Sequence, residues 1–268
     1  MTVQGTPQMI PALSRIWEAC FGDSPDYIRF FMENRFPACR SFVWLEDAAP
    51  VGAAYLLPCA LGEHRAYYGY AVGVHPDYRR RGICEQILRA AEAFCAGENA
   101  VFFVLPRAGV EDYYLKRGFS PAFFHDFHEI LPRGVPVEGL TVSQAEPEES
   151  RRLRDQFFRG DGYVAWGTAA TAYALQEQRR CGGIAHILSW RGERYFLFGA
   201  KQGETLFLRE TTMPMERLTE VSRWLCTYYG VTQLAVESPA ASLETGTPRG
   251  CCWNFSLDVP GWLGFDLA

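Results

Sequence analysis

Apolar positions change period several times along the chain, and each change marks an element. Ile10, Leu13, Trp17, Cys20 and Phe21 recur at helical spacing and predict a helix over about 7–21, stopped by Gly22. Ser24 as N-cap and Pro25 at the first helical position open a second helix carrying Ile28, Phe31 and Phe36. The period then shortens. Segments 42–46, 51–57 and 66–74 read as three strands of an antiparallel meander, with a turn over 47–50 and an exit at His75-Pro76. A helix over 82–95 follows, with Ile83, Ile87, Leu88, Ala91 and Phe94 as its apolar stripe. Segment 101–105 is a wholly apolar strand, a short helix over 111–117 ends at Gly118, and 123–131 returns as a strand.

The stretch LPRGVPVEGL over 131–140 is the one mid-chain segment with a linker's proline and glycine content, and it sets a boundary between domains 1–135 and 136–268. The rhythm then repeats. Helices are expected over 147–158 and 168–180, strands over 184–190, 195–200 and 205–210, a helix over 214–229 and a strand over 233–236. Terminal strands are expected near 253–257 and 262–267. Element order is shared between the halves without a detectable sequence repeat, which points to two related domains in tandem.

Composition narrows the classes of function. A length of 268 residues suits two domains, and 48% apolar with 21% charged residues excludes disorder or a fibrous chain. A formal charge of -5 gives no general pull toward nucleic acid or an anionic membrane. Nine scattered cysteines, odd in number and without a C-x-x-C pair, argue against a disulfide framework or a zinc site, and no metal is expected. The N-terminus lacks a secretory pattern. The most apolar stretch, 48–62, is broken by Pro50 and Pro58 and is shorter than the roughly 20 residues of a membrane helix, so a cytoplasmic protein is expected.

Chemistry concentrates in YAVGVHPDYRRRGICEQILRAAEAF, residues 70–94: an apolar strand, a proline-marked exit, three arginines, a glycine and an amphipathic helix. The first amides of a helix lack internal partners and the helix dipole adds positive charge, so such a turn suits a diphosphate. The candidate amides are those of residues 80–85. Gly82 permits close backbone approach, and Arg79, Arg80 and Arg81 supply charge.

The order V-x-V-x-P-x-Y-R-x-x-G-x-C, then helix, apolar strand and Y-x-x-x-G-F at Tyr114 to Phe119, resembles the Gcn5-related N-acetyltransferase (GNAT) family over about residues 1–131. The resemblance implies an α+β fold, a mixed, largely antiparallel sheet flanked by helices. It implies acetyl-CoA as co-substrate. Its diphosphate would lie on the loop containing Arg79, Arg80, Arg81, Gly82, Ile83, Cys84 and Glu85, and its pantetheine arm would pair with the backbone of Val72, Gly73 and Val74. Cys84 departs from the family's usual Gly or Ala; its thiol is expected to turn into the helix packing, because a thiolate beside phosphates would be disfavoured by like charge.

Tyr114 stands where the family often has a phenol that protonates the departing thiolate, a role an unperturbed Tyr near pKa 10 can fill at neutral pH. Tyr113 is its control, since helix neighbours point about 100° apart. Candidates for a general base are Glu63, His64, Asp126 and His128, with none preferred. His125 and His128 are expected on opposite strand faces, against a metal pair. The layout is also similar to the N-terminal half of the enhanced-intracellular-survival type of acetyltransferase, whose C-terminal carboxylate reaches the tyrosine. Ala268 would carry that group here, although this chain is much shorter. In the second half LFLRETTMPMERL replaces the loop without Arg-x-x-Gly-x-Gly, implying a degenerate GNAT-like domain. The expected activity is acetyl transfer to a primary amine of a small molecule or peptide. A noncatalytic acyl-CoA-binding or sensing protein is the alternative, and a transferase using charged tRNA is disfavoured by the acidic balance.

Overall fold

Helix ends form where their signals stand. Helix α1 (Ile10–Phe21), preceded by a 3-10 turn at Pro7–Met9, stops because Gly22 adopts φ 74°. Helix α2 (Pro25–Asn34) starts at Ser24, whose hydroxyl accepts the Tyr27 N–H at 3.2 Å. Helix α1 buries one face with Leu13, Ile16 and Trp17, whereas α2 buries Ile28, Phe30, Phe31 and Met32 and so is covered on more than one side. The meander follows as β2 (Arg40–Glu46), β3 (Ala49–Leu61) and β4 (His64–Val74), all antiparallel, with β1 (Thr2–Gln4) added at the edge of β2. Helix α3 (Ile83–Gly97) then crosses to β5 (Val101–Val104), which pairs parallel with β4. Helix α4 (Glu111–Leu115) leads to β6 (Phe119–Ile130).

The computed structural model describes residues 1–133 and 137–265, and its second half repeats this order. It contains β7 (Thr141–Gln144), α5 (Pro147–Phe157), the short β8 (Val164–Ala165), α6 (Thr168–Arg180), β9 (Ile184–Trp190), β10 (Glu193–Gln202) and β11 (Thr205–Thr211). Helix α7 (Met215–Tyr229) and β12 (Gln233–Pro239) complete the parallel, β12 lying parallel to β11 as β5 lies parallel to β4. The architecture is therefore α+β, with largely antiparallel sheets flanked by helices.

By contacts the chain forms two units, Met1–Pro121 with Gly250–Ser256, and Ala122–Arg249 with Leu257–Ala268. The change of unit falls inside β6 rather than in the proline- and glycine-rich stretch. The cause is strand pairing: residues His125 to Ile130 of β6 lie antiparallel to β12, whereas β13 (Thr247–Trp253), from late in the chain, lies antiparallel to β5. Val135 and Pro136, where composition sets the boundary, lie outside the described residues. The strand expected near 253–257 is corrected by the same pairing. Pro248 and Gly250 weaken local strand propensity, but Cys251, Cys252 and Trp253 pair with Val104, Phe103 and Phe102, and the tertiary contact prevails. Strands β1 and β7 escape the pattern because they are short edge strands. Of the strand expected over 262–267, residues 266 and 267 lie outside the described residues, as does Ala268; of the remainder Trp262 makes an isolated bridge with Tyr163, next to one between Gly261 and Phe123.

All nine cysteines are free. Among the described residues no helix is long and apolar enough to cross a membrane. His125, in the second unit, is 7% exposed with its ring 4.6 Å from that of Trp262, and burial, followed by the charge of Arg249, pulls its pKa down to about 4. Below the ordinary value of 6.5 the unfolded chain takes up a proton that the folded ring refuses until about pH 4. Stability is therefore expected to fall by roughly 3 kcal/mol between those limits and to be independent of this group above them. Urea denaturation at pH 7 and pH 4 should show a smaller acid loss in His125→Phe than in the wild type.

Candidate functional site

The first unit opens its sheet between β4 and β5. They pair from Ala66 with Val101 to Gly69 with Val104, where β5 ends, while β4 runs on to Val74. The β5-side edge of Tyr70–Val74 is thus free of ladder bonds to β5. On the β3 side the register slips between Ala53 and Tyr55, and Ala71 takes φ 46°, a bulge that re-aims the end of the strand. The C-terminal end of α1 packs against this end. A Cβ on Gly73 would lie 3.0 Å from Cys20 Sγ, so the close approach requires glycine. The Val74 carbonyl accepts from Cys20 Sγ at 3.2 Å and from Arg79 Nε at 3.1 Å.

The chain leaves β4 through a 3-10 turn at Pro76–Tyr78, fixed by His75 N–H donating to the Val51 carbonyl at 2.9 Å. Arg80 at φ 63° and Gly82 at φ 73° then turn the backbone twice through the left-handed region into α3. The first α-helical bond runs from Gln86 N–H to the Gly82 carbonyl at 3.2 Å. The amides of Ile83, Cys84 and Glu85 therefore precede any intrahelical acceptor and sit at the positive end of a helix that runs to Gly97. The three arginines part company. Arg79 is tied to Val74, and Arg81 reaches Glu46 at 3.5 Å and lies 5.0 Å over the Tyr78 ring. Arg80 is exposed.

Cys84 turns away from the loop, as expected, into packing shared with Ile83, Ile87, Tyr113 and Tyr114. Burial pushes its thiol pKa up, with the Tyr113 phenol as hydrogen-bonding neighbour acting the other way. Such a thiol is a poor nucleophile. Tyr114 is 8% exposed and packs with Leu88, Phe102, Val104, Phe119 and Cys251; burial raises its pKa, and the neighbouring Cys84 and Cys251 thiols raise it further. Tyr113 is half-buried, its ring edge-on to that of Tyr114 with centroids 5.6 Å apart and the Arg117 guanidinium 3.6 Å over its own ring. Arg117 and Cys20 are the site residues that sequence pattern misses, because both act across the fold and neither breaks a local period.

The base candidates separate. Glu63 and His64 lie at the other end of β4, which at about 3.3 Å per residue is about 30 Å from Val74. Asp126 accepts the Ala241 N–H at 3.0 Å, and His128 Nε2 bonds Ser238 Oγ at 3.0 Å, both in the second unit. Among the described residues no group of three or more His, Cys, Asp or Glu could hold a metal.

The model of the acetyltransferase (GNAT) family matches residues 6–119, which include the parted strands, the loop and the Y-x-x-x-G-F segment. These residues form a GNAT acetyltransferase domain. Among curated proteins no sequence matches the chain. Among solved structures, a conserved protein of Enterococcus faecalis described as a probable N-acyltransferase is similar over 94% of this chain and 72% of its own, with TM-score 0.77 and 15% identity. A GCN5-related N-acetyltransferase from Anabaena variabilis gives 94%, 72%, 0.69 and 15%, and Eis1 from Mycobacterium abscessus gives 94%, 73%, 0.64 and 12% for the same quantities. The likeness runs through both halves, so the fold is that of two GNAT-like domains in tandem, with the GNAT domain matched by sequence first.

Proposed function

We propose that the protein transfers an acetyl group from acetyl-CoA to a primary amine of a small molecule or peptide. The observation that carries this reading is the coincidence, in one unit, of a β4 edge left open beyond Gly69 and a left-handed turn that presents the amides of Ile83, Cys84 and Glu85. The open edge at Val72–Val74 suits the amides of a pantetheine arm, and the turn suits a diphosphate, with Arg80 free to reach phosphate oxygens. Both would hold the thioester toward α4, where Tyr114 supplies a proton to the leaving sulfur.

The second unit supports a degenerate role. Strands β11 and β12 also pair in parallel only from Thr205 with Gln233 to Leu208 with Val236. The turn into α7, however, has Pro214 at φ -55° in place of a left-handed glycine, and Arg217 is paired with Glu220. Among the described residues the second unit has neither the left-handed turn nor a run of three arginines at this helix start, so one acetyl-CoA per chain is expected.

Calorimetric titration with CoA, followed by acetyl-CoA thiol release with a panel of amines, tests the reading. One CoA per chain and thiol release with an amine support it; CoA binding without release on any amine returns the acyl-CoA sensor. Gly82→Val should weaken CoA at least about tenfold, because a β-branched residue in the left-handed region costs about 1–2 kcal/mol and displaces the amides. The Cβ itself meets nothing within 4 Å, so the melting temperature should fall only by the few degrees that this backbone strain costs, with no packing loss added. Unchanged affinity would remove the diphosphate from this turn.

A further inference from the structure

Helix α4 is a single short turn, too short to hold its own conformation, yet it carries the phenol on which the proposed chemistry depends. Besides the packing of Tyr114 itself, one side chain ties it to α3. Arg117 Nη1 donates to the Tyr113 carbonyl at 2.7 Å, its guanidinium lies 3.6 Å over the Tyr113 ring, and its Nη2 stands 3.8 Å from Glu85 Oε2. Glu85 is held in turn by Arg89 at 2.6 Å. The Tyr113 phenol faces the Cys84 thiol. Cys84 and Glu85 are thus two-sided: their amides belong to the first turn of α3, and their side chains grip α4.

We propose that Arg117, acting through Tyr113 and Glu85, is a positioning residue that ties the diphosphate turn to Tyr114, so that seating of acyl-CoA and placement of the phenol are one event. This rests on the function proposed above. A half-exposed Arg–Glu pair contributes little to stability, but three simultaneous constraints on one planar group fix an orientation. Only arginine meets all of them, because stacking on a ring while donating sideways needs the flat, forked guanidinium and lysine has neither feature. The same link gives Cys84 a use in a position where the family usually has Gly or Ala: its thiol fills the space against Tyr113 that a smaller residue would leave empty.

The test is a double-mutant cycle on the full chain with acetyl-CoA and the best amine of the panel, with Tyr114→Phe as the second arm. Arg117→Met is expected to lower kcat about tenfold with the KM for the amine unchanged, and Arg117→Lys is expected not to restore it. In the Tyr114→Phe background the same substitution should cost less than twofold, since there is no longer a phenol to place. Equal losses in the two backgrounds, an unchanged kcat, or full rescue by lysine would each overturn the proposal. If CoA binds but no amine is acetylated, the coupling is read in CoA affinity: weakening of threefold or more by both Arg117→Met and Arg117→Lys sustains it and no change overturns it. A wild-type chain that does not bind CoA would overturn the proposed function, and with it the event to which Arg117 is assigned.

Discussion

Replacing Arg154 by methionine is expected to remove about 3–5 kcal/mol of stability, because it strands a buried carboxylate. Arg154 on α5 and Glu210 on β11 are both fully buried, joined by two hydrogen bonds, Nε to Oε1 at 2.5 Å and Nη2 to Oε2 at 3.1 Å. Burial alone would pull the guanidinium pKa down, but the Glu210 carboxylate reverses that and the net direction is upward. The pair also holds a separate piece of chain. Arg154 Nη2 donates to the Leu263 carbonyl at 3.3 Å, Trp262 Nε1 donates to Glu210 Oε2 at 3.1 Å, and the Phe265 ring lies 4.0 Å beneath the guanidinium. Gly264, at φ 74°, passes so close that a Cβ would overlap the Glu210 carboxylate. Methionine fills much of the volume of Arg154 but leaves Glu210, among the described residues, with the indole donor alone. The double variant Arg154→Met with Glu210→Leu removes both charges together and should regain a large part of the loss, as buried pairs replaced by apolar residues often do. Urea midpoints followed by tryptophan fluorescence decide the matter: a single variant as stable as the double would show that the pair is not what holds segment 261–265.

What the sequence makes legible here is local. Gly22, Ser24 and the stripe Ile83, Ile87, Leu88 and Ala91 define helices through signals that lie within a few residues of one another, and those helices form where expected. The loop is legible for the same reason, since its strand, glycine and helix are contiguous. Partner choice between strands is not. Strands β6 and β13 read as ordinary extended segments, and nothing in either tells that β6 pairs with β12 while β13 pairs with β5. The bulge at Ala71 is equally silent, because alanine has no preference for a positive φ and takes it where the β3 register demands. Arg154 and Glu210 stand 56 positions apart, each a charged residue in its own element, and nothing local to either marks it as the buried partner of the other. Arg117 is invisible in the same way: a charge beside a glycine turn gives no hint that it stacks on Tyr113.

Substituting Tyr114 by phenylalanine is expected to lower turnover by about 10²–10⁴-fold, the range a positioned proton donor contributes, with CoA affinity unchanged. The phenol lies on the buried side of α4, and removing one oxygen from a ring packed against Phe102 and Phe119 leaves the packing intact. Tyr113→Phe, which loses a hydroxyl facing Cys84 and keeps the ring under Arg117, should cost far less. The pH dependence gives a second check. A general acid works in its protonated form, and burial, reinforced by the Cys84 and Cys251 thiols, raises the Tyr114 pKa above its ordinary value of 10.0. The protonated form therefore persists through and beyond pH 10, and wild-type kcat should show no alkaline decline from this group between pH 6 and pH 10. Rising pH in that window acts on the acceptor instead, since a primary amine attacks only after losing its proton, so kcat/KM for the amine should climb with pH. A decline in kcat centred below pH 10 that vanishes in Tyr114→Phe would mean that the phenol ionises early, and the role of acid would pass to another group.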